Sequence, residues 1–159
     1  MKWFGVLLIL SAACLAGLYQ AEKFTRRVQG LKQIQAVFTS LRAGIAYRWE
    51  PLADLLTFSP RNAFSESWIQ QLQEKQGIGA ACLTAAQQLV LHTDDVRLLE
   101  RFAADAGKLG HQEQLEAIDL LLQQLDENLK AARQEAQNRS RVQLAMAVCL
   151  GGVVSLLLI

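Results

Sequence analysis

Two histidines, three cysteines and one pair of adjacent aspartates are the side chains best suited to chemistry in this 159-residue chain, and they do not gather. His92 and His111 stand beside turn residues, where a solvated or capping imidazole is the ordinary occupant. Thr93 is expected as a helix N-cap, and Asp94 and Asp95 then suit the positive end of that helix dipole better than they suit a metal. Cys14, Cys82 and Cys149 are odd in number and far apart, so they form neither a disulfide framework nor a C-x-x-C site, and they read as small apolar fillers. There is no phosphate-cradling G-x-x-x-x-G-K-S/T, no nucleophile elbow G-x-S-x-G and no zinc-binding H-E-x-x-H. Catalysis needs a nucleophile, a base or a metal converging on one place. The sequence therefore points to no catalytic residue, no cofactor, no metal and no small-molecule substrate.

The elements that would have to position such residues are helices. Apolar residues make up 52% of the chain, and the excess lies at its two ends. Trp3 to Tyr19 and Val142 to Ile159 are apolar almost throughout, each at the short end of the roughly 17–25 residues that cross a hydrocarbon core. Lys2 is the only charged residue outside Gln20–Arg141, which holds 15 basic and 15 acidic residues. That balance excludes a basic nucleic-acid footprint. The organisation expected is a transmembrane segment over 1–20, a helical domain over 21–141 and a second transmembrane segment over 142–159. Lys23, Arg26, Arg27 and Lys32 follow the first apolar run, and Lys130, Arg133, Arg139 and Arg141 precede the second. By the positive-inside rule the middle domain is expected in the cytoplasm, with both termini outside. The sequon-like Asn138-Arg139-Ser140 then faces the wrong side for glycosylation. An alternative is export, with cleavage near Ala12-Ala13-Cys14. Ser11 spoils the lipoprotein pattern, and the apolar run continues past Cys14.

Within the middle, Phe24, Val28, Leu31, Ile34, Phe38, Leu41 and Ile45 step by three or four, predicting an amphipathic helix continuous with the first apolar run. Trp49-Glu50-Pro51 ends it. Short helices are expected over Pro51–Phe58, Ala63–Gln76 and Ala80–His92, with Gly77-Ile78-Gly79 as a turn. A further helix after Thr93 would bury Val96, Leu99, Phe102, Ala103 and Ala106. A final long helix starts near Gln112 and carries Leu115, Ile118, Leu122, Leu125, Leu129, Ala132 and Ala136 as a stripe. The stripe suits a coiled-coil dimer or the core of its own bundle, and its shortness favours the core. The fold class is all-α: a helical bundle carried on two long helices that continue into the apolar ends.

Ala13 and Gly17 in the first apolar run, and Ala147, Gly151 and Ser155 in the second, are spaced four apart. Small residues at that step let membrane helices pack closely, and they also arise by chance in Ala- and Gly-rich segments. Trp49, Pro51 and Leu52 form a corner that is either a plain helix break or a partner surface.

The order of these features resembles the stage III sporulation protein AB family of endospore-forming bacteria. The resemblance runs from the opening Met1–Gly5 through Leu31, Leu41 and Ile45, the Glu50-Pro51-Leu52 helix start, Leu99 and Phe102, Gln114-Leu115 with Ile118, Leu122 and Leu125, to Gly151-Gly152. One departure is the link before the last helix, Ala106-Gly107 with Leu109-Gly110 in place of Leu-Gly and a Ser/Asp cap, which predicts a looser helix start. The family's cytoplasmic domain is similar to the helical domain of the type II secretion inner-membrane platform protein F. The resemblance implies a non-catalytic scaffold subunit of the channel-like complex joining mother cell and forespore. It would sit in the outer forespore membrane with its domain on the mother-cell side. Its partners would be the lipid bilayer, the complex's secretion-type ATPase and the other membrane subunits, with no nucleic acid. The partner-binding region expected is Glu50 to Gln76, with Glu50, Pro51, Arg61 and Trp68 as its named residues. A two-span signal-relay protein without enzymatic activity is the competing reading, and it would need an output partner.

Overall fold

The computed structural model describes the backbone of residues 2–48, 51–74, 77–106 and 108–158, and the side chains of 22, 24–47, 51–74, 77–106, 108–138 and 142. Six helices follow in order: α1 (Lys2–Arg48), α2 (Leu52–Thr57), α3 (Ala63–Gln73), α4 (Ile78–Gln87), α5 (Thr93–Asp105) and α6 (His111–Leu158). No strand occurs among the described residues. The chain forms two compact units, one of Arg26–Ala131 and one of Met1–Thr25 with Ala132–Ile159. In the second unit the helical backbone of α1 and α6 is described, but most side chains are not. Among the described residues no helix is long and apolar enough to cross a membrane. The side chains of both apolar runs, including Ala13, Gly17, Ala147, Gly151 and Ser155, lie outside the described residues.

The unit Arg26–Ala131 is built on the two long stripes. Leu31, Ile34, Val37, Phe38, Leu41 and Ile45 of α1 are buried, as are Ile118, Leu121, Leu125 and Leu129 of α6. The α6 stripe thus lies in the core of its own chain. Leu122, expected in it, is half-buried, and Leu121 takes the inner place. A helix that packs against several neighbours buries a face wider than a coiled-coil seam.

α1 and α6 run antiparallel through this unit. Arg27 shares a carboxylate with Asn128, whereas Arg42 pairs with Asp119, so rising α1 numbers meet falling α6 numbers. The start of α6 is held where a loose one is expected. The Glu113 carboxylate accepts from Gly110 N–H (3.1 Å), and the Gly110 carbonyl accepts from Gln114 N–H (2.9 Å).

Four short helices complete the unit. Pro51 starts α2 from an extended φ,ψ, and its carbonyl accepts from Asp54 and Leu55. Leu55 then lies against Gly44, where a Cβ would stand 2.6 Å from Leu55 Cδ2. Gly44 thus leaves the space that the Leu55 side chain fills. Asn62 caps α3 through a reciprocal pair: Ser65 N–H donates to Asn62 Oδ1, and Asn62 N–H donates to Ser65 Oγ (both 2.9 Å). Asn62 Nδ2 also reaches the Gln33 carbonyl at 3.2 Å, fixing the α3 start on α1.

Two local expectations are overturned. Gly77-Ile78-Gly79 is not a turn: Gly77 is the N-cap, α4 begins at Ile78, and Gly79 is buried inside the helix. A Cβ at Gly79 would overlap the Ala103 carbonyl, so Gly79 is there for the close approach of α4 to α5. Tertiary packing outweighs its poor helix propensity of about 1 kcal/mol. α4 also ends at Gln87 rather than His92, and Leu89 and Leu91 of the connection lie on Gly30 of α1.

Between the stripes sits an aromatic cluster. Phe38 stands edge-on to Phe102 (centroids 4.9 Å apart, 86°), and lies 5.6 Å from Trp68 and 6.4 Å from Phe64. Such pairs contribute about 0.5–1.5 kcal/mol each beyond their area burial. The cluster joins α1, α3 and α5.

Candidate functional site

The expected partner region lies where α1 ends and α2 and α3 begin. Pro51 and Arg61 are exposed there, and Glu50 lies outside the described residues. Trp68 does not belong to that surface. It is 0% exposed, packs on Phe38 and Phe64, and its indole N–H donates to the Ile78 carbonyl at 3.0 Å. A buried indole with its one donor satisfied is a core side chain that ties the α4 start to α3. Two aromatics do stand out to solvent in this region: Tyr47 in the last turn of α1, 87% exposed, and Phe58 at the C-cap of α2, 67% exposed. Sequence reasoning passed over both. They lie one or two positions off the buried stripe, and only helix phase separates them from core residues.

The chemistry-bearing residues remain apart. His92 is the N-cap of α5, in place of the expected Thr93, and its Nδ1 lies 3.2 Å from Asp94 Oδ2 at an exposed site. His111 is the first residue of α6. Cys82 is fully buried, and burial pushes its thiol well above the ordinary range, which makes it inert. No group of three metal-ligating side chains gathers among the described residues. A shallow cleft of about 260 Å³ between α5 and α6 is lined by Asp94, Arg97 and Arg101 on one side and Gln124, Glu127 and Asn128 on the other. Its acids and bases balance, so it has no marked preference for a charged ligand.

The most ordered polar arrangement is one that sequence reasoning missed. Asp95 is the only fully buried charged side chain among the described residues. Arg27 donates to it as a fork, Nε to Oδ2 at 2.9 Å and Nη2 to Oδ1 at 3.2 Å. Asn128 Nδ2 donates to Oδ1 at 2.9 Å, and the His92 backbone N–H to Oδ2 at 3.0 Å. One carboxylate thus collects four donors from α1, α6 and the start of α5. A signal existed. Arg27 precedes Leu31, Ile34 and Phe38 by helical steps, Asp95 precedes Leu99 and Phe102, and Asn128 stands between Leu125 and Ala132. Three polar residues on three apolar stripes must meet something inside.

A second arginine–aspartate pair lies on the surface. Arg42 and Asp119 form a fork, with Nη2 3.1 Å from Oδ2 and a closer bond from Nε to Oδ1. Each side chain is 49% exposed. The guanidinium bond holds the Asp119 carboxyl below the usual carboxylate range and raises Arg42. On α6, Lys130 donates to Asp126 at 2.6 Å, which likewise raises the ammonium.

Comparison with known proteins adds the family. The sequence model of the family described as stage III sporulation protein AB matches residues 2–159. A solved structure titled "Stage III sporulation protein AB (SpoIIIAB)" is similar in fold, with a TM-score of 0.58 and 20% sequence identity over 70% of this chain and 97% of that chain. No curated protein matches the chain.

Proposed function

This chain belongs to the stage III sporulation protein AB family, and from that premise we propose that it is a non-catalytic platform subunit of the sporulation channel complex, rooted in the membrane by both ends. The family places it in sporulation. The observation that carries the rest is the course of the two long helices. α1 (Lys2–Arg48) and α6 (His111–Leu158) each contribute to both compact units, and each contains one of the two apolar runs of the sequence. A body whose first and last helices both lead into greasy segments suits a bilayer anchor with two roots. The basic residues flanking the apolar runs orient the body to the mother-cell cytoplasm, on the outer forespore membrane. In that setting the body resembles the helical domain of the type II secretion inner-membrane platform protein F.

The partner of the body is the secretion-type ATPase of the complex, and the other membrane subunits pack on the apolar runs. Docking uses the region where α1 hands over to α2 and α3. Tyr47, Phe58, Pro51 and Arg61 are exposed there, and aromatics with arginine are the residues that interfaces favour. The experiment is co-purification of the ATPase from sporulating cells with full-length wild type, Phe58→Ser and Arg61→Glu. Recovery is expected to fall at least about tenfold in Phe58→Ser, the loss of one interface anchor. Unchanged recovery with both variants would remove this surface from the proposal.

A further inference from the structure

The two ends of α5 are held by different physics. At the C-terminal end, Phe102 stands edge-on to Phe38 at 4.9 Å, and the bare Gly79 lets α4 close on Ala103. These are packing contacts, one between rings and one of helix backbone on the Ala103 carbonyl, and neither holds a charge. At the N-terminal end the anchor is one carboxylate, 0% exposed, with four donors from Arg27, Asn128 and His92 N–H. Apolar support beside it is partial: Val96 is half-buried, Leu99 one turn on is fully buried, and Leu89 and Leu91 of the preceding connection lie over Gly30 with room for a Cβ between them.

A buried ion pair is a poor device for stability alone, because apolar residues of similar size often serve as well or better. It differs from an apolar contact in what its loss leaves behind. Once the guanidinium shifts out of register, the carboxylate is left unpaired in a dry interior and must draw in water. Position sharpens the point. The compact unit runs from Arg26 to Ala131, so Arg27 and Asn128 stand at or near the two places where the long helices leave it. A displacement of α1 against α6 at that end changes the donor geometry of Asp95 before it reaches the aromatic cluster.

We propose that Asp95, held by Arg27 and Asn128, is the bolt of a conformational latch that keeps the N-terminal end of α5 on α1 and α6, and that its release lets this end swing about the anchor at Phe102. The latch stands on the geometry of Arg26–Ala131 and does not depend on the membrane reading.

The test is amide hydrogen exchange by mass spectrometry on the full-length chain in detergent, comparing wild type with Asp95→Asn, Asn128→Ala and the apolar pair Arg27→Met with Asp95→Leu. Residues 88–98 are expected to exchange at least about tenfold faster in Asp95→Asn, while 102–106 and 34–41 change by less than about twofold, the mark of local opening. Asn128→Ala gives the same segment pattern with a smaller increase. The apolar pair exchanges more slowly than Asp95→Asn over 93–98, because it leaves no unpaired guanidinium in the interior; the His92 amide, which loses its acceptor in the pair, is left out of that comparison. Faster exchange spread evenly over all helices, an unchanged rate at 88–98, or an apolar pair as fast as Asp95→Asn would each overturn the latch. If Asp95→Asn does not accumulate as folded protein, Asn128→Ala and the apolar pair decide by the same segment criterion.

Discussion

Arg27–Asp95 and Arg42–Asp119 are the same bond in two settings. Both are arginine forks on aspartate, and both tie α1 to a helix far along the chain. In the first, Asp95 is 0% and Arg27 15% exposed, and Asn128 and a backbone N–H complete the carboxylate's shell. In the second, both side chains are half open to water, and among the described residues no third donor reaches the Asp119 carboxylate. The difference teaches that residue type and bond geometry do not set the importance of an ion pair. Water does, because an exposed pair broken apart is solvated at once and a buried one is not.

The comparison can be broken by denaturation of the full-length chain in detergent. Asp95→Ala leaves Arg27 and Asn128 facing each other in the interior and is expected to cost about 3–5 kcal/mol. If it costs no more than Asp119→Ala, the distinction fails. Arg27→Lys keeps the charge but loses the fork, and a loss of about 2 kcal/mol would show that geometry as well as charge holds Asp95. Asn128→Ala removes one donor of four and should cost about 1.5 kcal/mol, the low end for a hydrogen bond to a charged group.

Arg42→Ala sits at the bottom of the order: no resolvable shift of the urea midpoint in 1 M salt, and a small one at low salt. Its partner has a pH signature. Arg42 depresses the folded carboxyl of Asp119, so the pair's contribution is present above the unfolded value near pH 3.9 and is lost as pH falls through the folded value. Asp119→Asn should therefore remove a small part of the stability lost on acidification below about pH 4, and the wild-type and variant curves should converge at the acid end.

The same two pairs show what the sequence can and cannot disclose. The apolar stripes of α1 and α6 are legible because a period of three and four repeats over many turns, and Leu31, Ile34, Phe38, Leu41, Ile118, Leu125 and Leu129 are all buried. The hub is half legible. Asp94 and Asp95 look alike in sequence, yet Asp94 is 67% exposed and Asp95 is enclosed. The helix phase that buries Leu99 and Phe102 decides between them, and that phase carries Asp95 inward. Which partners it meets depends on how α1 and α6 are apposed, and no local pattern encodes that.

Gly79 fails in the opposite direction. Its local signal is a turn, and the approach of Ala103 overrules it. Trp68 falls in the expected partner region by its position in the chain, whereas its phase with Phe64 puts it in the core. The exposed Tyr47 and Phe58 are set apart from core residues only by their phase against Ile45 and Leu56.

The proposed function requires a helical body held on the cytoplasmic face of a membrane by both of its ends. Gly77 offers the most direct probe, since it is exposed and a Cβ there meets nothing within 4 Å. Gly77→Cys, in a chain with Cys14 and Cys149 changed to Ala, is treated in intact sporulating cells with a membrane-impermeant thiol reagent, before and after permeabilisation. The account predicts label only after permeabilisation, on protein recovered in the membrane fraction. Label on intact cells, or the full-length chain in the soluble fraction, would contradict it.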